Sequence, residues 1–281
     1  MFDCVGMRDA RQFFAHQSTQ ISSIDRKQVY MRIVPRTESG IAMSQKTFLI
    51  TGASKGIGRA LSHRLASAGH NVIGVARNAD PDFPGVLVPI DLTDTFATEE
   101  ALTKLKAEYA IDGVVNNVGF IELAPLGSID LDAMDGIIRS NLRPAVQLVQ
   151  ALLPGMRERG WGRIVNLSSL VVLGVANRSV YAAAKSAMIS FTRTWALELA
   201  PTGITVNAIA PGPVETEMFR VNTPQGSDAE KRFLSMVPMG RLGKPDELAA
   251  AIEFLLSEPA AFITGQTLFV DGGASIGKAS I

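Results

Sequence analysis

Short apolar runs alternate with longer stretches of helical periodicity along most of the chain. Thr47–Thr51 (TFLIT) reads as a buried strand. Residues 57–68 place Ile57, Ala60, Leu61, Leu65 and Ala68 at helical spacing, and Gly69 supplies the stop. Strands follow at Asn71–Ala76 and 86–90, a helix at 98–109, and a strand at Gly113–Asn116. Leu131–Arg159 predicts one or two helices, with Pro144 and Pro154 bending or dividing the stretch. A strand at 163–167, a long helix at 180–199, a strand at 204–209, a helix at 247–256 and a strand at Thr267–Val270 complete the series. Strands this apolar, alternating with helices, predict an α/β fold: a doubly wound parallel sheet of about seven strands, covered on both faces.

No repeat or low-complexity linker interrupts residues 44–281, so one domain is expected there. Residues 1–43 read differently. They hold six Lys/Arg and four Asp/Glu and no long apolar run. That excludes a secretory h-region, and Asp3, Asp9, Asp25 and Glu38 count against a transit peptide. Two readings stay open: a disordered extension, or a start assigned too early, with Met43 directly ahead of SQKTFLITGASKGIG.

Composition narrows the function. The 281 residues are 47% hydrophobic and 19% charged, an ordinary globular ratio. Lys plus Arg and Asp plus Glu both number 27, so no general basic field exists to hold nucleic acid or an anionic membrane. No apolar run approaches the ~20 residues of a membrane span. The only cysteine is Cys4, and His16, His63 and His70 form no close pair, so no disulfide or metal site is expected. A cytoplasmic protein of a reducing compartment is the expectation.

The candidate chemistry begins between the first strand and first helix, at Thr51-Gly52-Ala53-Ser54-Lys55-Gly56-Ile57-Gly58. Gly52 permits a tight turn, Gly56 lets backbone approach a pyrophosphate, and Gly58 lets helix and strand pack closely. The helix N-terminus then offers unpaired N–H groups to the phosphates. The spacing GxxxGxG differs from the commonest GxGxxG dinucleotide fingerprint. Further strand exits are polar or glycine-bearing: Asp91, then Asn116-Asn117-Val118-Gly119, Ser168-Ser169, and Pro211-Gly212-Pro213. In a parallel sheet these share one edge, the place where ligands of such folds bind.

Tyr181 and Lys185 are four residues apart on the long predicted helix, so they share a face. A free tyrosine, with a pKa near 10, is a poor acid–base group at neutrality. An adjacent ammonium lowers that pKa, as does a positive nicotinamide ring. A tuned tyrosine can protonate a carbonyl oxygen as hydride reaches carbon, with a serine hydroxyl holding that oxygen. The second strand ends Ala76-Arg77, where an NAD enzyme carries an acid for the ribose 2′-OH; no acid occurs until Asp80. Arg77 can fork onto a 2′-phosphate, with Lys55 and Ser54 adding a charge and a hydroxyl, so NADP(H) is the expected cofactor.

These residues together resemble the short-chain dehydrogenase/reductase family in its shorter, single-domain form. The motifs are TGASKGIG, NNVG, SNL at Asn141, NLSS, YAAAK and PGPVET. The tail GRLGKPDELAAAIEFLL…FITGQTLFVDGG is similar to the family's 3-oxoacyl-[acyl-carrier-protein] reductases. The resemblance implies a Rossmann-type fold with Tyr181 as general acid/base. It implies that Lys185 lowers the tyrosine pKa and holds the nicotinamide ribose, and that Asn141 binds a water in a proton relay. It also implies a cofactor site of Gly52, Ser54, Lys55, Gly56, Ile57, Gly58, Arg77, Asp91, Leu92, Asn117, Gly119, Tyr181, Lys185, Pro211, Gly212, Val214 and Thr216. The family's serine is usually the second at this strand end, Ser169, yet it usually lies thirteen residues before the tyrosine, which is Ser168 here. Ser169 is the choice, because strand direction is fixed while a loop tolerates deletion.

The expected reaction is reversible, NADPH-dependent reduction of a carbonyl to a secondary alcohol, with a 3-oxoacyl thioester or similar ketone as substrate. The resemblance implies a mobile substrate lid over about 213–238. Its Met218, Phe219, Phe233, Leu234, Met236 and Val237, with Leu170–Leu173 after Ser169, suit an apolar substrate better than a free sugar. A hydroxysteroid-like or other alcohol dehydrogenase is the alternative. A non-catalytic dinucleotide-binding protein is disfavoured by the presence of Tyr181, Lys185 and Asn141. The resemblance also implies a homo-oligomer, commonly a tetramer, built partly on helix 180–199.

Overall fold

The computed structural model describes residues 45–277; the readings of residues 1–43 lie outside them. Strand β1 (Thr47–Thr51) is wholly buried in the interior of a seven-stranded sheet. The others are β2 (Asn71–Ala76), β3 (Val86–Pro89), β4 (Gly113–Asn116), β5 (Gly162–Leu167), β6 (Ile204–Pro211) and β7 (Thr267–Val270). Their order is β3-β2-β1-β4-β5-β6-β7, and every pair is parallel. The order reverses between β1 and β4, which opens a crevice beyond their carboxyl ends.

Successive side chains of a strand point to opposite faces, and the core divides accordingly. Leu49, Ile73, Val114 and Ile164 pack under helices α2 (Thr95–Glu108), α3 (Leu131–Arg159) and α4 (Ser179–Leu199). Phe48, Ile50, Val72, Val115 and Val165 pack under α1 (Gly56–Ser67) and, later in the chain, Pro245–Leu256. Edge strand β3 is the one strand exposed at both of its ends.

The structure extends or joins several predicted elements. Helix α2 starts at Thr95, three residues early, because the Asp94 carboxylate accepts from Ala97 N. The stretch Leu131–Arg159 is one helix of 29 residues, not two. Each internal proline forfeits a backbone hydrogen bond, at roughly 3 kcal/mol relative to alanine. Burial of Leu148, Val149, Leu152 and Met156 between and after them offsets that cost, and Asp130 and left-handed Gly160 close the ends. Two short helices, α5 (Glu217–Asn222) and α6 (Asp228–Met236), occupy the predicted lid, and Pro245–Leu256 is α7. Thr216 and Ser227 cap α5 and α6 through hydrogen bonds from Phe219 N and Glu230 N. Among the described residues no helix is long and apolar enough to cross a membrane.

Candidate active site

The glycine turn is built by hydrogen bonds from three strands. Gly52 N donates to Val75 O on β2 (2.8 Å). The Thr51 hydroxyl accepts from Asn117 N (2.9 Å) and Val118 N (3.1 Å), while Asn117 Nδ2 donates to Thr51 O (2.9 Å) and Gly52 O (3.3 Å). The Asn117 Nδ2 group is therefore engaged in holding the turn, a positioning role. Thr51 shares that role, and sequence reasoning missed it; its signal was its place between the strand and the first glycine.

Gly56 has φ +52, and a Cβ there would sit 3.2 Å from Thr216 Cγ2. The cap residue of α1, Lys55, makes no side-chain capping bond, so the first N–H groups of the helix are left to a ligand. The Ser54 hydroxyl makes no hydrogen bond among the described residues. Backbone amides, a spare hydroxyl and no acid in the turn fit a pyrophosphate. Ile57 leans on the core beside Leu61.

Arg77 follows β2 as an exposed residue, its guanidinium 5.5 Å from the Phe120 ring centroid. It also lies close enough to Asp91 to help hold that carboxyl below the usual range, after the hydrogen bonds from Thr93 N and Oγ1. Lys55 does not join Arg77: its ammonium pairs with Glu217 at the start of α5, 2.5 Å away. Asp80, the nearest acid, pairs with Arg59. Leu92 and Val214 turn their side chains into the core, leaving only backbone for a ligand. Gly212 has a packing reason, since a Cβ there would meet Asp271 Cα at 2.7 Å. Pro211 pairs with Val270 on β7.

The catalytic candidates converge where β5 meets α4. Ser168 is buried and its Oγ donates to Lys185 O (2.9 Å). Ser169, one residue on, accepts at its Oγ from Val171 N (3.4 Å) and lies close enough to the Tyr181 phenol to favour its ionised form. Lys185 is 2% exposed and its Nζ donates to Leu167 O (2.8 Å), 5.8 Å from the Tyr181 ring centroid. A Cβ on Gly119 would sit 3.1 Å from that Nζ, so the missing side chain keeps the ammonium approachable. Asn141 donates both amide hydrogens, to Phe120 O (2.9 Å) and Ile137 O (2.8 Å), and accepts from Phe120 N (3.3 Å). Its side chain fastens the loop after β4 to α3.

Burial alone lowers the Lys185 pKa to about 8. Burial also pushes the Tyr181 phenol above its usual value, opposed more weakly by the Ser169 hydroxyl and the Arg178 guanidinium. In the protein by itself desolvation wins, and Lys185, contrary to expectation, is not among the groups that lower the phenol pKa.

A family profile described as Enoyl-(Acyl carrier protein) reductase matches residues 52–275. The 3-oxoacyl-[acyl-carrier-protein] reductase of Vibrio harveyi is 41% identical over 238 residues, covering 81% of this chain and 96% of that one. Aldohexose dehydrogenase of Thermoplasma acidophilum superposes with a TM-score of 0.78 at 33% identity, covering 84% of this chain and 96% of that one. YwfH, an NADPH dependent reductase involved in bacilysin biosynthesis, does so with a TM-score of 0.76 at 26% identity, covering 85% and 100%. With the parallel sheet, the glycine turn and the Ser–Tyr–Lys cluster in place, the chain belongs to the short-chain dehydrogenase/reductase family of oxidoreductases.

Proposed function

We propose that the protein reduces a ketone to a secondary alcohol with NADPH, a 3-oxoacyl thioester or similar ketone being the substrate class. The observation that carries this is the placement of the Tyr181 phenol, the Ser169 hydroxyl and the Lys185 ammonium together at the crevice edge beside the glycine turn. Bound NADPH would supply hydride to the carbonyl carbon. The α1 amides, Ser54 and the turn would hold its pyrophosphate, Arg77 its 2′-phosphate, and Lys185 its nicotinamide ribose.

Ser169 donates a hydrogen bond to the carbonyl oxygen, and Tyr181 gives that oxygen its proton. The raised phenol pKa keeps the proton on Tyr181 until it is needed. The Ser169 hydroxyl, Arg178 and the Lys185 ammonium then favour the phenolate left behind. Lys185 carries its charge below about pH 8 and loses it above. The expected kcat/KM for reduction therefore falls as pH rises through about 8, well before Tyr181 titrates. Substituting Lys185→Arg should carry the fall to higher pH; a profile flat to about pH 9.5 would remove Lys185 from the mechanism.

Arg77→Asp is expected to shift preference from NADPH to NADH, because a carboxylate repels the 2′-phosphate and accepts from a 2′-OH. An unchanged ratio of the two kcat/KM values would mean that other groups read the phosphate.

The test of the reaction is NADPH and NADH oxidation across acetoacetyl thioester, a diketone, a cyclic ketone, a keto sugar and crotonyl thioester. Turnover of the 3-oxo thioester with NADPH is expected. Turnover of crotonyl thioester alone would replace carbonyl with enoyl reduction, and tight NADPH binding without any turnover would overturn the reading.

The single domain and the lid over 213–238 are part of this proposal, and so is a homo-oligomer, commonly a tetramer. Leu197 on α4, Phe254 on α7, and Phe262 and Leu268 at edge strand β7 are exposed apolar side chains that a second copy would cover. A monomer by light scattering counts against it. The lone cysteine supports a cytoplasmic location, which cell fractionation checks.

A further inference from the structure

Arg178 is the residue immediately before α4, one helical turn ahead of Tyr181. Its backbone is fixed on both sides. Asn177 takes a left-handed φ of 64° and its carbonyl accepts from Ala124 N (3.0 Å); the Arg178 carbonyl accepts from Ala182 N (2.8 Å). The guanidinium lies 5.7 Å from the ring centroid of Phe233, on lid helix α6, and close enough to Tyr181 to act on its phenol.

What is missing around it is an acid. Arg220, also in the lid, is held by Glu215 and Glu230; Arg59 is held by Asp80 and Arg241 by Glu247. Arg178 forms no ion pair among the described residues, although it is half-buried and burial lowers its pKa. A cation at this end of α4 also meets the positive end of the helix dipole. Both effects disfavour the charge, and the Phe233 ring and the Tyr181 phenol offset them only in part, with no carboxylate in reach among the described residues. An anion arriving between the lid and Tyr181 relieves both.

We propose that Arg178 is a specificity-determining residue that binds an oxyanion carried by the substrate a few bonds from its ketone carbonyl, a carboxylate or a phosphate. The proposal rests on the ketone-reductase reading but replaces the 3-oxoacyl thioester, which has no charge beside its ketone, with a keto acid or keto phosphate. The guanidinium edge offers paired N–H donors to such a group while Phe233 covers its face. One turn of helix between Arg178 and Tyr181 sets the short spacing between anion and carbonyl.

The test compares acetoacetate with ethyl acetoacetate, and dihydroxyacetone phosphate with dihydroxyacetone, in the wild type and in Arg178→Gln. Each neutral partner reports whatever Arg178 does through Tyr181 or through folding; the difference within a pair reports the anion. For one of the anions, Arg178→Gln should cost about 10- to 100-fold more in kcat/KM than for its neutral partner, mostly through KM. Arg178→Lys should recover part of that loss, and the pair that responds names the anion. Equal losses within both pairs would overturn the proposal.

Should no ketone be reduced, the ketone-reductase reading fails separately. Calorimetric binding of acetoacetate and of dihydroxyacetone phosphate, with and without NADP+, then decides. Binding weakened at least about tenfold by Arg178→Gln supports the anion site. Equal affinity in both proteins, or no binding to the wild type, removes it.

Discussion

Tyr181→Phe is expected to lower kcat for ketone reduction by about 10²- to 10⁴-fold while leaving the Kd for NADPH within about twofold. The substitution removes one oxygen and keeps the ring that packs at the start of α4. The lost atom is the proposed proton donor to the carbonyl oxygen and lies near the Ser169 hydroxyl. The groups that face the expected phosphates, the α1 amides and Arg77, lie elsewhere and are untouched. Steady-state kinetics with fluorescence titration of NADPH separates the two effects. A variant with full turnover would dismiss Tyr181 as the acid, and a lost cofactor site would mean that the phenol is structural.

Gly58→Ala is expected to abolish measurable NADPH binding and to lower stability by about 1–3 kcal/mol, which is several degrees in Tm for a chain of this size. A Cβ at Gly58 would stand 2.3 Å from Gly52 O and 2.8 Å from Asn117 Nδ2. Both are parts of the turn: one is its backbone, the other the amide that pins it to β4. Neither can retreat without dismantling the hydrogen bonds that shape the phosphate cradle. Gly136→Ala is the matched control, at an exposed position of helix α3 with nothing within 4 Å of the added carbon. It should be neutral or slightly stabilising, because alanine favours helix. Thermal melts and NADPH titration of both variants make the comparison; normal binding by Gly58→Ala would mean that the cradle is not built this way.

The two serines show where reading along the chain runs out. A spacing of twelve against thirteen residues left Ser168 and Ser169 both open. The pleat of β5 separates them: Ser168 N bonds to Ile209 O on β6 and its hydroxyl turns inward to the Lys185 carbonyl, leaving Ser169 beside Tyr181. Lys55 is a similar case. Its place in the turn suggested a phosphate ligand, but its ammonium reaches Glu217, 162 residues away in sequence. Both carboxyl and ammonium are mostly exposed, so the pair is worth at most about 1 kcal/mol and would yield to a phosphate.

The sequence by itself determined the parallel sheet, the bounds of most strands, the glycine turn and the pairing of Tyr181 with Lys185 on one helix face. Those depend on period, on turn chemistry and on i, i+4 geometry, which are local and act within a few residues. Tertiary structure alone decided that Leu131–Arg159 stays one helix across two prolines, because burial against the sheet outweighs two lost backbone bonds. It decided that Asn117 and Thr51 brace the turn, since their partners come from strands more than 60 residues apart in sequence. It decided, too, that Arg178 stands without a carboxylate beside Tyr181, because an ion pair is a matter of which distant elements the fold brings within reach, and no spacing along the chain reports a partner that never arrives.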